Sequence, residues 1–253
     1  INSPIRLNGP AILRFSARMI TEATYDIFTV EVSRNGGASY NRVYQFSGNN
    51  SAWQTYMVSL NEFDGDLVRI RFRLTTDSSS VAAGVSVDNI QIIPAKLDYS
   101  NDAESSADFQ VNPTWALTNE RAYVGSQAFS DSPGGNYGTS VNSNLLLNRD
   151  LNLDGAVSPV AGFATWMRIA RGDRLEFLHS ANSGGSWTTP SSVFGTEATW
   201  NFYSFAIPAT GGSRFGVRMV SNTTTQDDGV YVDDFHVVSE QIAVAKRAKE
   251  DAT

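Results

Sequence analysis

Carboxylates dominate the side chains of this chain that could do chemistry. Asp102, Glu104, Asp131, Asp233 and Asp234 offer hard oxygen donors, and calcium takes about six to eight such ligands. The same acids suit solvated turns, and Asp227-Asp228-Gly229 reads as a hairpin loop before the last apolar run. A second chemistry is stacking. Trp166 shares strand parity with Ala164 and Arg168, opposite Phe163, Thr165 and Met167. That parity puts Trp166 on the wet face beside Arg168, where an indole and a guanidinium would hold a sugar ring or a partner's side chain. Catalysis has little to rest on. His179 and His236 are the only histidines, each inside an apolar run. There is no HExxH, no GxSxG, no phosphate-cradling loop and no ExDxxE cluster, so no catalytic residue is expected. Arg171-Gly172-Asp173 sits between two apolar runs and has a turn's reason to be there.

The elements that would carry these residues come twice. Residues 26–33 (DIFTVEVS) align with 173–180 (DRLEFLHS), and 35–40 (NGGASY) with 182–187 (NSGGSW). Trp53 and Tyr56 match Trp200 and Tyr203, IRFRL at 70–74 matches FGVRM at 215–219, and GVSVDNI at 84–90 matches GVYVDDF at 229–235. The offset stays at 145–147 positions, which is the length of a whole domain rather than of a solenoid repeat. Recurrence at Trp53 and Trp200, and at Tyr40 and Trp187, points to shared packing positions. Residues 5–9 match 151–155, so the first copy has no counterpart of residues 96–147.

Within each copy the apolar period is two. Phe28, Val30 and Val32 alternate with Thr29 and Glu31, and Val68, Ile70, Phe72 and Leu74 alternate with arginines. That is the pattern of strands with one buried face. Asn-Gly, Asp-Gly and Gly-Gly steps separate the runs and mark turns. Many short strands with almost no helical periodicity indicate antiparallel sandwiches. The divisions read as residues 1–95, an incomplete sandwich; 96–240, a complete one; and 241–253, an Ala- and Lys-rich tail or linker. Burial is expected for Phe28, Val30, Ile70, Phe72 and Val87, and for Leu175, Phe177, Phe215, Val217 and Val232.

Composition narrows the function. The chain has 253 residues, a net charge of −7, no cysteine and 41% hydrophobic residues. The charge argues against nucleic acid, and no apolar run is long enough to insert into a membrane as a helix. The absence of cysteine excludes disulfides and thiolate metal sites.

The order of these motifs resembles a known family. An apolar strand is followed by S-x-N/D-G-G-x-S/T-W/Y, then W-x-x-Y, R-I-R-F-R and G-x-x-V-D-D/N-I/F. This is similar to the MAM-like jelly-roll accessory domains of bacterial secreted proteins, among them those of immune inhibitor A-type peptidases, cleaved adhesins and choice-of-anchor J proteins. In the second copy, Asp102-Ala103-Glu104, Trp115 and DSPGGNY at 131–137 extend the resemblance forward. It implies an all-β fold of two tandem antiparallel jelly-roll sandwiches, the first lacking its N-terminal strands. It also implies structural calcium in the second domain, at Glu104, Asp131 and Asp233 foremost, with Asp102 and Asp234 beside them. The expected protein is secreted or at the cell surface and noncatalytic, and docks a larger protein onto a glycan or protein surface. Another copy or a cleaved fragment would complete the first domain. The alternatives are a filament or surface-layer subunit built by strand exchange and, third, a glycoside hydrolase.

Overall fold

The computed structural model describes residues 3–242. Residues 243–253, most of the tail read from the sequence as a helix or linker, lie outside the described residues. The first copy contributes β1 (Ile5–Arg6), β2 (Ala11–Ile20), β3 (Ile27–Ser33), β4 (Asn41–Phe46), β5 (Asn49–Ser59), a 3₁₀ turn (Asn61–Phe63), β6 (Leu67–Thr75) and β7 (Gly84–Asn101). The second contributes β8 (Phe109–Val111), β9 (Ala116–Thr118), β10 (Ala128–Ser130), β11 (Asn142–Leu147), β12 (Val160–Arg168), β13 (Arg174–Ser180), β14 (Thr188–Val193), β15 (Thr196–Ala206), β16 (Arg214–Val220) and β17 (Gly229–Glu240). Among the described residues no helix is long and apolar enough to cross a membrane.

These strands form two tandem antiparallel sandwiches. Each has its own outer sheet, ordered β1-β6-β3-β4 in the first and β14-β13-β16-β11-β8 in the second. Facing both is one common sheet, ordered β15-β12-β17-β7-β2-β5, with β10 attached to β17 and β9 to β10. The residue boundary at 95/96 therefore falls inside a strand rather than a linker. Residues 84–94 of β7 pair with β2, and residues 95–101 pair with β17. Pro94 has no N–H to donate. It stands where the partner changes: its carbonyl accepts from Gln241, while the Ala95 amide turns the other way to Pro10.

Both copies carry the same irregularity. The register shifts between Arg14 and Ser16 against β7, and between Gly162 and Ala164 against β17. At the equivalent point of the opposite strand stand Asn89 (φ 51°) and Asp234 (φ 46°). A bulge residue in the left-handed region kinks the strand and re-aims its side chain.

The period-two reading locates both cores. Phe28, Val30 and Ile70 are buried, as are Leu175, Phe177, Phe215, Val217 and Val232. Burial of such a side chain contributes roughly 1.5–3 kcal/mol. Phe72 and Val87 are only half-buried, which corrects the sequence expectation. The cause is missing cover. β11 pairs with β16 and β10 with β17, but nothing equivalent lies beside β6 or the first half of β7 among the described residues. Leu74 is 41% exposed where its counterpart Met219 is at 0%, and Ile90 is 42% exposed where Phe235 is at 0%.

The β11–β16 contact also fixes a residue type. A Cβ on Gly216 would lie 2.3 Å from the Leu145 carbonyl oxygen and 2.9 Å from Leu146 Cα, so only glycine fits there. The first copy has Arg71 at this place, with no β11 to meet. Gly216→Ala is expected to lower stability by about 1–3 kcal/mol in chemical denaturation through overpacking. Gly135→Ala, at a site with nothing within 4 Å, should change it by no more than about 0.5 kcal/mol.

Candidate functional site

The two sandwiches meet side by side, and β4 lies against β15. Arg42 donates its backbone N–H to Asn201 Oδ1 (2.7 Å), Asn41 donates to the Trp200 carbonyl (2.8 Å), and Gln45 donates to the Phe194 carbonyl (3.2 Å). Arg42 is ion-paired with Glu197. Two clefts open along this seam.

The smaller cleft, about 280 Å³, is polar. Its walls are the β3–β4 turn with Tyr40, the outward face of β3 and β6 with Glu31, Arg71 and Arg73, and Glu197 and Asn201 of β15. Arg71 pairs with Glu31 and lies 3.7 Å from the Tyr40 ring centre. Thr29 donates to Glu31 Oε1 (3.0 Å), and Asn201 Nδ2 donates to Glu197 Oε2 (3.0 Å). Each fork is thereby held in one orientation. Arg73 is exposed at the rim and, among the described residues, pairs with no carboxylate. Flat donors and acceptors around an aromatic face are the equipment for grasping hydroxyl groups.

The larger cleft, about 590 Å³, is more apolar. Tyr25 and Ile27 of the first copy face Ile169, Arg171 and Phe194 of the second, with the Arg171 guanidinium 4.4 Å from the Tyr25 ring centre. The Arg-Gly-Asp triplet lines it. Asp173 is buried and accepts from Tyr137 Oη (2.7 Å) and the Asn222 amide (2.7 Å). Its carboxylate supports the turn, as the sequence suggested, and is not presented to a partner.

Trp166 is a correction. It is buried at 7% exposure, with Arg121 over its ring at 3.8 Å and Tyr231 edge-on at 5.6 Å. Strand parity was right about the face, but β10 and the segment carrying Arg121 cover that face. Arg121 is anchored by Asp228 at 2.9 Å. Arg168 is exposed and pairs with Asp227 at 3.1 Å, not with a stacking site. Trp53 and Trp200 also part company. Trp200 packs against Tyr123, whereas Trp53 is 50% exposed beside Arg18. Tyr123 belongs to the segment before β11, which has no counterpart beside the first sandwich among the described residues.

The five acids named from the sequence lie in separate hydrogen-bonded settings. Among the described residues, no three of them bring ligand atoms within 4.8 Å of one another. Glu104 and Asp233 instead hold one loop from two sides. Glu104 accepts from the Ser126 and Gln127 amides, which keep its carboxyl below the usual range. Asp233 accepts from the Tyr123, Val124 and Asp234 amides, and burial still pushes it up to about 6. Asp102 caps the Glu104 amide. Asp131 is buried and accepts from the Val230 amide at 2.7 Å and from Ser132, while its Oδ2 has no partner. Burial pushes Asp131 up to about 7.

Asp234 belongs to another group, with Glu62 and His236. Burial, with Asp234 close by, pushes the Glu62 carboxyl well up. Sequence spacing gave no sign of this group, because Glu62 comes from the other copy. The second histidine is unrelated. His179 is buried with Nε2 3.0 Å from Ser213 Oγ, and burial lowers its pKa.

No protein-family model matches the chain. No curated protein matches it either. Solved structures of similar form exist. One is the N-terminal CBM22-1–CBM22-2 tandem domain of Paenibacillus barcinonensis Xyn10C, at 15% identity and a TM-score of 0.41, covering 93% of this chain and 80% of that one. Another is the K2 cleaved adhesin domain of Lys-gingipain, at 17% identity and a TM-score of 0.40, covering 55% of this chain and 96% of that one. A third is TmCBM61 in complex with β-1,4-galactotriose, at 15% identity and a TM-score of 0.39, covering 55% of this chain and 99% of that one.

The Asp131 carboxyl gives a pH signature. Its folded pKa, about 7, stands above its unfolded value, about 3.9. The folded state therefore binds the proton more tightly. That stability is present in full below about pH 4 and is lost as pH rises to about 7. Chemical denaturation across this window should show a falling component with a slope of at most about 1.4 kcal/mol per pH unit. The component should be absent in Asp131→Asn.

Proposed function

We propose that this chain is a noncatalytic docking region of a larger secreted or cell-surface protein, and that its polar seam cleft holds a glycan. The observation that carries the reading is the cleft itself. Tyr40, Arg73, Arg71, Glu31, Glu197 and Asn201 come from both sandwiches and converge on one space. The Arg71–Glu31 pair, the Asn201–Glu197 hydrogen bond and the Arg71–Tyr40 stacking hold all of these but Arg73 in place before any ligand arrives, which limits the ordering cost of binding. A saccharide presents hydroxyls to the forks and a C–H face to the ring. The test is calorimetric titration against a panel of neutral and acidic oligosaccharides. Binding to at least one class is expected, with Tyr40→Ala and Arg73→Ala each weakening it by about tenfold, which is about 1.4 kcal/mol. Binding that survives both substitutions at full strength would move the site elsewhere.

A second reading rests on the uncovered edges of the first sandwich. Among the described residues, no strand lies beside residues 71–75 of β6 or 84–90 of β7 on the side that β11 and β10 occupy in the second sandwich. Unpaired edges flanked by half-exposed apolar side chains are templates for an added strand. In this reading, strands from another copy of the repeat pair there. Light scattering should show self-association that Leu74→Lys with Ile90→Lys removes. A chain that stays monomeric at high concentration would exclude it.

A further inference from the structure

The seam also buries a set of side chains that neither cleft uses. Glu62, on the 3₁₀ turn between β5 and β6, faces Asp234 and His236 of β17, and one ligand atom from each lies within 4.8 Å of the others. The Glu62 and His236 side chains are only 5% and 2% exposed. Glu62 Oε1 is buried without a hydrogen-bond partner, although His236 Nδ1 is 3.6 Å away. Buried polar atoms are ordinarily paired, so an orphaned carboxylate oxygen aimed at an imidazole nitrogen calls for an occupant.

The surroundings aim each donor inward. The far nitrogen of the imidazole, Nε2, sits 2.8 Å from Ser59 Oγ, while Nδ1 lies 3.3 Å from the Asp234 carbonyl oxygen and 3.6 Å from Glu62 Oε1. An outer partner on the second ring nitrogen is what orients metal-binding histidines. Asp234 is the left-handed bulge residue of β17, and the bulge sets its carboxylate beside Glu62. The first copy supplies an internal comparison. It has the same bulge, but Asn89 stands where the second copy has Asp234, and Gln91 where it has His236. Those two amides pair with each other (3.1 Å) on an exposed strand. Of the two bulges, the one that carries an acid and a histidine is the one packed against the other sandwich.

We propose that Glu62, Asp234 and His236 bind one divalent transition cation of zinc's class, which ties the two sandwiches together. One imidazole and two carboxylates suit zinc and its neighbours, whereas calcium prefers oxygen throughout. Two carboxylates side by side in a buried seam need a proton or a cation between them, and a cation would displace the proton that burial holds on Glu62.

The test uses the full chain, stripped with chelator and then titrated with zinc or with cobalt(II) as a visible probe. Uptake of one ion per chain is expected, with visible ligand-field bands from cobalt and a melting temperature that rises with zinc. Glu62→Gln and His236→Gln, checked for folding by circular dichroism, should each weaken uptake by at least about tenfold, and Ser59→Ala by about 10–100-fold. Excess calcium should leave the cobalt bands in place. No uptake by the wild-type chain at micromolar zinc would overturn the proposal. So would uptake undiminished in the double variant Glu62→Gln with His236→Gln, or cobalt bands that calcium abolishes.

Discussion

Everything in this molecule hangs on β7 belonging to two sandwiches at once. Its first eleven residues complete the inner layer of one, and its last seven open the inner layer of the other. A strand is stiff along its length, and its two edges are laddered to different neighbours. The sandwiches are therefore parts of one continuous sheet. The seam, both clefts and the buried Glu62–Asp234–His236 group follow from that geometry. Small clusters reinforce it: Ile12, Ala95, Val160 and Val238 form an apolar group drawn from both copies, and Arg14 reaches Glu240 across the junction at 2.7 Å.

The two copies show what a front segment does for a sandwich. In the second, residues 102–147 pair with two strand edges, cover Trp166 through Arg121, and supply Tyr123 to the seam. In the first, the equivalent edges carry Leu74 and Ile90 into solvent, and an arginine replaces the glycine that close strand contact demands. The same alternation of residues thus gives an enclosed core in one copy and a half-covered one in the other. Periodicity sets which way a side chain points, and the neighbours decide whether that direction is wet or dry.

Much of the fold was legible because its signals are local. Alternation in 28–32 and 70–74, turn pairs such as Asn35-Gly36, and the constant offset between copies need no knowledge of distant contacts. The site was less legible because its contacts are distant. Trp166 was placed on the correct face, but its cover arrives from residue 121. The boundary read at 95/96 lies inside a strand, next to Pro94 where the pairing partner changes. The five acids were grouped by residue type. In the folded chain Glu104 and Asp233 are spent on amides of the same loop, and Asp234 joins a glutamate from the other copy. A pair such as Glu62 and His236, separated by 174 positions, leaves no trace in spacing.

The shared strand also has a mechanical meaning. Where sandwiches are joined by a flexible tether, a load stretches the tether first and then peels each unit alone. Here a pull directed along β7 acts lengthwise on hydrogen bonds to β2 and to β17 together. Those bonds run across the strand axis, so the load shears many of them in parallel rather than opening them one after another. A region built this way would keep its two sandwiches at a fixed distance and orientation under tension, as a rigid strut.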